Sequence, residues 1–239
     1  MKKHILLFTV PLIVFFCTGC MNTTPYKYIP NEKISAETAT LPLVVSITVL
    51  EDLRDSDNTD YTLVGWIPLV PYGKGHFSRP ETTFKYSFKG LKPREDFAKA
   101  IYAEIKQNNL FQTVLVIPQN IPPKAGLVIT GTIKKARMDT TITFYGISFL
   151  GRALWVIGLP IGKVYNGLDI HFEMRRLSDG AVVWEHDIKG DWNTIIGAYY
   201  GSYQDEPYTG INKILRQGLH DGILKMSEDI KNKPIEYWK

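Results

Sequence analysis

After residue 20 the sequence has no cysteine; the two it contains are Cys17 and Cys20. A disulfide framework and a thiolate zinc site are therefore excluded. Charge of one sign is also missing: 28 basic against 24 acidic side chains leave +4 in 239 residues. A nucleic-acid binder concentrates Lys and Arg on one face, so nucleic acid is not an expected partner. No uncharged apolar stretch reaches the ~20 residues needed to cross a bilayer as a helix. Nor is there a G-x-G-x-x-G, a P-loop, a G-x-S-x-G or an H-E-x-x-H, so the common cofactor, nucleotide and hydrolase signatures are absent. No metal and no cofactor is expected.

What is present begins at the N-terminus. Met1-Lys2-Lys3-His4 is a short basic region, and Ile5 to Phe16 is almost unbroken apolar sequence. That is the length of a signal-peptide core. Thr18-Gly19-Cys20 follows and resembles the lipobox of bacterial lipoproteins, with Cys17 where Leu is usual. The resemblance implies cleavage before Cys20 and acylation there, palmitate included. Three acyl chains would hold the chain on a membrane, at about 0.8 kcal/mol per buried CH₂. Met21 stands where Asp would favour inner-membrane retention, which implies an outer-membrane anchor facing the periplasm, or the cytoplasmic membrane surface in a single-membrane source. Residues 1–19 are then signal, 20–40 a polar tether with Pro25 and Pro30, and 41–239 one domain.

Within that domain, Leu43–Leu50 alternates as a strand. Thr82–Phe88 is a second strand or edge segment. Pro93–Asn109 has a helical period, with Phe97, Ile101 and Ile105 on one face and Glu95 and Asp96 in the first turn. Thr113–Ile117 reads as a short buried strand, Asn120–Lys124 as a turn, and Gly126–Ala136 as another strand. Leu168, Ile170, Phe172 and Met174 alternate with Asp169, His171, Glu173 and Arg175. Ser178-Asp179-Gly180 turns into a strand that places Val182, Trp184 and Ile188 on one face. Glu206–Lys231 is a long helix with a stripe from Tyr208 to Ile230. Gly218 and Gly222 would let it approach the sheet. The expected fold class is α+β: a mostly antiparallel sheet, two helices on one face, and two apolar loop inserts.

This element order resembles the small α/β domains of envelope lipoproteins of the transport-auxiliary, lipopolysaccharide-assembly and, more distantly, curli-secretion kind. The supporting residues are Asp52-Leu53-Arg54, the step Asn109-Leu110-Phe111-Gln112-Thr113-Val114, Thr130-Gly131, and Asp179-Gly180 before Val183-Trp184. The resemblance implies a non-enzymatic accessory or assembly factor that binds a protein or lipid partner. Alternatives are a structural lipoprotein tying membrane to cell wall through Asp169, His171, Glu173 and Arg175, and an envelope hydrolase. The hydrolase is disfavoured because His76, His171, His186 and His220 show no nucleophile–base spacing. Acidic residues from Glu51 to Asp60 lack the glycine of a calcium loop, and Arg54 is expected to pair with Asp52 or Asp55 at the surface.

The anomaly is the pair of inserts. Thr62–Gly73 carries no charge, and Thr140–Gly162 carries one, Arg152. Arg152, the glycines and Pro160 argue against a membrane-spanning helix. Either the inserts cover one another as core, or they form an exposed docking surface. The expected contact residues for a protein or lipid are Trp66, Ile67, Leu69, Phe149, Arg152 and Trp155. Arg152 would meet an acidic partner or a lipid phosphate.

Overall fold

The computed structural model describes residues 26–34, 40–82, 90–118, 126–201 and 206–239. Cys20, the strand expected over 82–88 beyond Thr82, and the turn at 120–124 lie outside them. In chain order the strands are β1 (Leu41–Thr48), β2 (Glu51–Asp52), β3 (Asn58–Tyr61), β4 (Tyr72–Phe77), β5 (Phe111–Ile117), β6 (Leu127–Thr143), β7 (Pro160–Arg176) and β8 (Val182–Gly197). The α-helices are α1 (Pro93–Gln107), α2 (Gly151–Val156) and α3 (Glu206–Asn232).

Strand β6 organises the sheet. One of its edges pairs with β7 from Leu127 to Ile142, and β7 pairs with β8 along nearly its whole length. Its other edge is shared in succession by β1, β2 and β4. Strands β1 and β2 run parallel to β6, and β5 runs parallel to β1. The sheet is therefore mixed rather than mostly antiparallel. The reason is that β1 reaches β5 through α1, and a helical crossover returns the chain in the same direction.

Two further expectations change. Strand β5 is an edge strand with Leu115 and Val116 exposed, not a buried one, because only β1 pairs with it among the described strands. Val182 is exposed while Val183 and Trp184 are both buried. The ladder slips between Met174 and Arg175, and the extra residue turns two neighbours inward.

Both long helices pack on the same core. Phe97, Ile101 and Ile105 of α1 meet Ile211, Leu215, Leu219, Ile223, Met226 and Ile230 of α3 over the inward residues of β7. From Ile211 to Ile230 the α3 stripe is as expected. A methyl at Gly222 would sit 2.7 Å from the His186 ring, and one at Gly218 would collide with Ile188. Both glycines exist for close approach of helix and sheet. Asn109 ends α1 in the left-handed region at φ 52°, a conformation Asn tolerates.

The tether expectation for 20–40 is corrected over 26–34. This segment lies along the groove between α1 and α3. Glu104, buried on α1, accepts from Tyr28 Oη at 2.5 Å and from the Asn31 backbone N and Nδ2 at 2.8 Å. Asn31 Nδ2 also donates to the Arg216 carbonyl of α3. Burial, then donation to Glu104, pushes the Tyr28 hydroxyl well above its usual range. Glu104→Ala would strand these donors, at about 1.5–3 kcal/mol for a bond to a charged group. Limited chymotrypsin digestion should then cut after Tyr26 or Tyr28 faster than in the wild type; unchanged cleavage would show that the segment is held otherwise.

Candidate functional site

The inserts are not loops. Strand β6 continues to Thr143 and β7 starts at Pro160, so each strand has 17 residues. Between them come a turn, a short 3-10 segment (Ser148–Leu150) and α2. The first insert folds as a 3-10 turn, Thr62–Trp66, leading through Leu69 into β4. Thr-rich, glycine-broken sequence hid the strand extensions from the alternation pattern.

The register places the ends together. Tyr72 of β4 pairs with Thr143 of β6, Ile142 with Gly162 of β7, and Pro160 with Gly197 of β8. Gly210, near the start of α3, packs at the level of Asn166 and Trp192. The sheet therefore runs several residues beyond α3 and ends in a tip built from both inserts. Leu69 N donates to the Gly146 carbonyl at 2.9 Å, and Phe144 N to that of Pro71 at 2.7 Å. Ser148 Oγ donates to the Trp66 carbonyl.

The kernel of the tip is Phe144, 3% exposed. Trp66 meets its edge with centroids 6.4 Å apart, and Trp155 lies 5.5 Å away. Gly65 and Gly151 press so closely on Phe144 that a side chain at either would collide with it. Thr62, Leu63, Ile142, Ile161 and Arg152 complete a pocket of about 330 Å³ with these aromatics. The Arg152 guanidinium stands over Trp66 at 4.8 Å and Trp155 at 5.8 Å.

Outside this kernel the tip is bare. Leu69 is 89% exposed, Phe149 63%, Ile157 75% and Trp66 42%; Ile67 is exposed and Trp155 half-buried. Sixteen of the twenty-two large hydrophobic side chains exposed among the described residues lie in 61–75, 140–168 and 192–201. Scattered exposed apolar residues need no explanation, but a contiguous patch does. The structure brings together all six expected contact residues. It adds Tyr199 and Tyr200, which sequence reasoning missed: their hydroxyls donate to the Val156 and Gly158 carbonyls. The uncharged run 192–201 was the available signal.

Backbone strain concentrates here too. Four non-glycine residues have positive φ among those described, and three are in the tip: Leu69 at 69°, Tyr145 at 58° and Ser148 at 55°. Such conformations persist where the surroundings over-determine them, commonly at functional sites.

The histidines give a second constellation. His76 is on β4; its Nδ1 is 2.5 Å from Asp139 Oδ1, and Ser78 Oγ is 3.3 Å from its Nε2. A nucleophile–base–acid line-up therefore exists, contrary to expectation. The backbone amides that would stabilise an oxyanion are already used: Ser78 N donates to the Asp57 carbonyl and Arg79 N to Asn58 Oδ1. His171 pairs with Asp187 at 2.9 Å, and hydrogen bonding from His171 holds that carboxyl below its usual range. His186 Nε2 meets the Gly218 carbonyl at 2.9 Å. Among the described residues no group of three His, Cys, Asp or Glu is arranged to hold a metal, and no helix is long and apolar enough to cross a membrane.

No protein-family model and no curated protein matches the chain. Among solved structures, it is similar to a Xanthomonas campestris protein of the DUF330 family, at 8% identity and TM-score 0.47, over 88% of this chain and all of the other. It is also similar to the PelC dodecamer subunit of Paraburkholderia phytofirmans, at 12% identity and TM-score 0.33, over 80% and 92%. A candidate lipoprotein from Caulobacter crescentus aligns at 9% identity and TM-score 0.30, over 48% and 73%. Scores at this level leave function to be argued from the chain's own residues.

Proposed function

We propose that this protein is a lipid-anchored, non-enzymatic accessory of the bacterial envelope that docks a partner through the apolar tip. The observation that carries the reading is the exposed tip itself, strained, free of Asp and Glu over 61–75 and 140–168, and joined to a chain with Thr18-Gly19-Cys20 near its start. The anchor places it at the outer membrane on the periplasmic side, or at the cytoplasmic membrane surface of a single-membrane cell. A cell-wall tie through the wet face of β7 has less support. Glu173 already binds Arg175 at 2.7 Å, and Asp169 lies 3.9 Å from Lys189.

Two variants test the reading. Cys20→Ala is expected to lose palmitate and leave the membrane fraction, or to remain unprocessed. Phe149→Glu, at an exposed position, should keep its melting midpoint yet lose the envelope component that co-purifies with the wild type in mild detergent. Retention of that component with a normal midpoint would exclude a protein as the occupant of the tip. An envelope hydrolase is the second reading, favoured by Ser78, His76 and Asp139. Under the accessory reading a fluorophosphonate probe leaves Ser78 unlabelled; labelling that disappears in His76→Ala would transfer the argument to catalysis.

A further inference from the structure

Resting on the docking reading and on acylation of Cys20, we infer that the tip inserts into the lipid interface of the same bilayer that holds the anchor. Three independent observations point there.

The first is where the polar groups of the tip go. Trp155 Nε1 donates to the Thr143 carbonyl at 3.0 Å, Tyr145 Oη to that of Pro160 at 2.6 Å, and Tyr199 Oη to that of Val156 at 2.6 Å. Ser148 Oγ is bound to the Trp66 carbonyl. Each of these groups is already bound to backbone, the Trp155 and Tyr145 groups part-buried and the Ser148 and Tyr199 groups at the surface, while Ile67, Leu69, Phe149, Val156 and Ile157 are exposed. A protein-docking surface keeps polar rim groups available for the partner. A side chain that dips toward the hydrocarbon cannot carry an unmatched polar group, so polar atoms already bound to backbone leave a surface that acyl chains can cover.

The second is charge. Segments 61–75, 140–168 and 192–201 contain Lys74, Arg152 and Lys163 and no carboxylate. Arg152, held over two indoles, sits where a guanidinium beside interfacial Trp meets a headgroup phosphate.

The third is reach. Segment 26–34 runs along α1 from Tyr26, near enough to Asp96 in the first turn of α1 to feel its charge, to Ile34, whose amide donates to Asn108 at the other end. Strand β1 runs parallel to β6 toward the tip, and α1 returns from it, with Arg94 at Leu50. Tyr26 is therefore at the tip-facing end of the helical layer. From Cys20 to Tyr26 the chain spans at most ~20 Å. From the level of Glu51, paired with Thr132, to the end of β6 at Thr143, the sheet extends a further ~36 Å at ~3.3 Å per residue. The tether is shorter than the distance from this level to the tip, so whenever the tip is turned toward the bilayer that holds Cys20 it reaches that bilayer before the tether is taut.

The test reconstitutes the acylated protein in phosphatidylcholine–phosphatidylglycerol vesicles carrying lipids brominated at upper acyl carbons, and reads tryptophan quenching. The wild type should be quenched, Trp66→Phe should lose a clear share of that quenching, and Phe149→Glu should lose most of it with its melting midpoint unchanged. Equal quenching in wild type and Trp66→Phe, or none in either, overturns insertion. In that event the co-purification assay separates the two readings. Loss of an envelope protein in Phe149→Glu leaves docking in place with a protein as occupant, and no loss removes the docking reading as well.

Discussion

Phe144→Ala is expected to lower stability by about 3–5 kcal/mol, the cost of truncating a buried aromatic. Phe144 is almost fully buried between the two inserts, and its ring packs against both indoles. Gly65 is pressed against the ring itself and Gly151 against the Phe144 carbonyl, so the space the ring leaves cannot be refilled without moving the backbone at Gly65. Trp66→Ala should cost clearly less, because a half-exposed ring loses only part of its contacts. Leu69→Asn should go the other way. Leu69 is almost wholly exposed at φ 69°, where a left-handed L-residue costs about 1–2 kcal/mol and Asn far less. That variant should melt higher while docking more weakly. Urea unfolding of the three variants checks the order; a large loss in Leu69→Asn would mean that the leucine is core.

These contrasts separate what the sequence made legible from what it hid. The α3 stripe, the alternation of Leu168 to Met174 and the start of α1 at Pro93 were readable because each is one period against one core. The mixed sheet was not readable, since β1 alone does not reveal that α1 returns it to a parallel neighbour. The apolar composition of the two inserts marked the site. Their local structure did not follow from it, because 140–143 and 160–163 pair across β6 and β7 by register rather than by alternation. Segment 26–34 looked like tether because its polar residues are satisfied by Glu104 and Asn108, more than seventy positions away.

Arg54 gives the second large effect. Expected at the surface, its side chain is only 2% exposed. It binds Asp52 through Nε at 2.9 Å and Nη2 at 3.0 Å, and Glu81 through Nη2 at 2.5 Å. It also reaches the Ser78 and Ala136 carbonyls. One guanidinium thus ties β2, the chain leaving β4 and β6 together at the root of the tip. Arg54→Met should cost about 3 kcal/mol at neutral pH, because breaking a buried pair takes the guanidinium from Glu81 and leaves Asp52 with only Arg79, 3.4 Å away. Arg54→Lys should not rescue it, since an ammonium cannot serve two carboxylates in a fixed fork.

Acid supplies the check on cause. Burial raises the Asp52 carboxyl, but hydrogen bonds and charge from Arg54, with the charge of Arg79, outweigh it, and its pKa lies below the ordinary value. A depressed carboxyl contributes stability that is present above the unfolded-state pKa, about 3.9, and is lost as pH falls through the folded value. The wild type should therefore lose this contribution on acidification below about pH 4. In Arg54→Met burial acts on Asp52 unopposed by that guanidinium, and protonation relieves the penalty. The stability gap between wild type and variant should narrow as pH falls. A gap that stays constant from neutral to acid pH would assign the loss to packing of the Arg54 stem rather than to its charge.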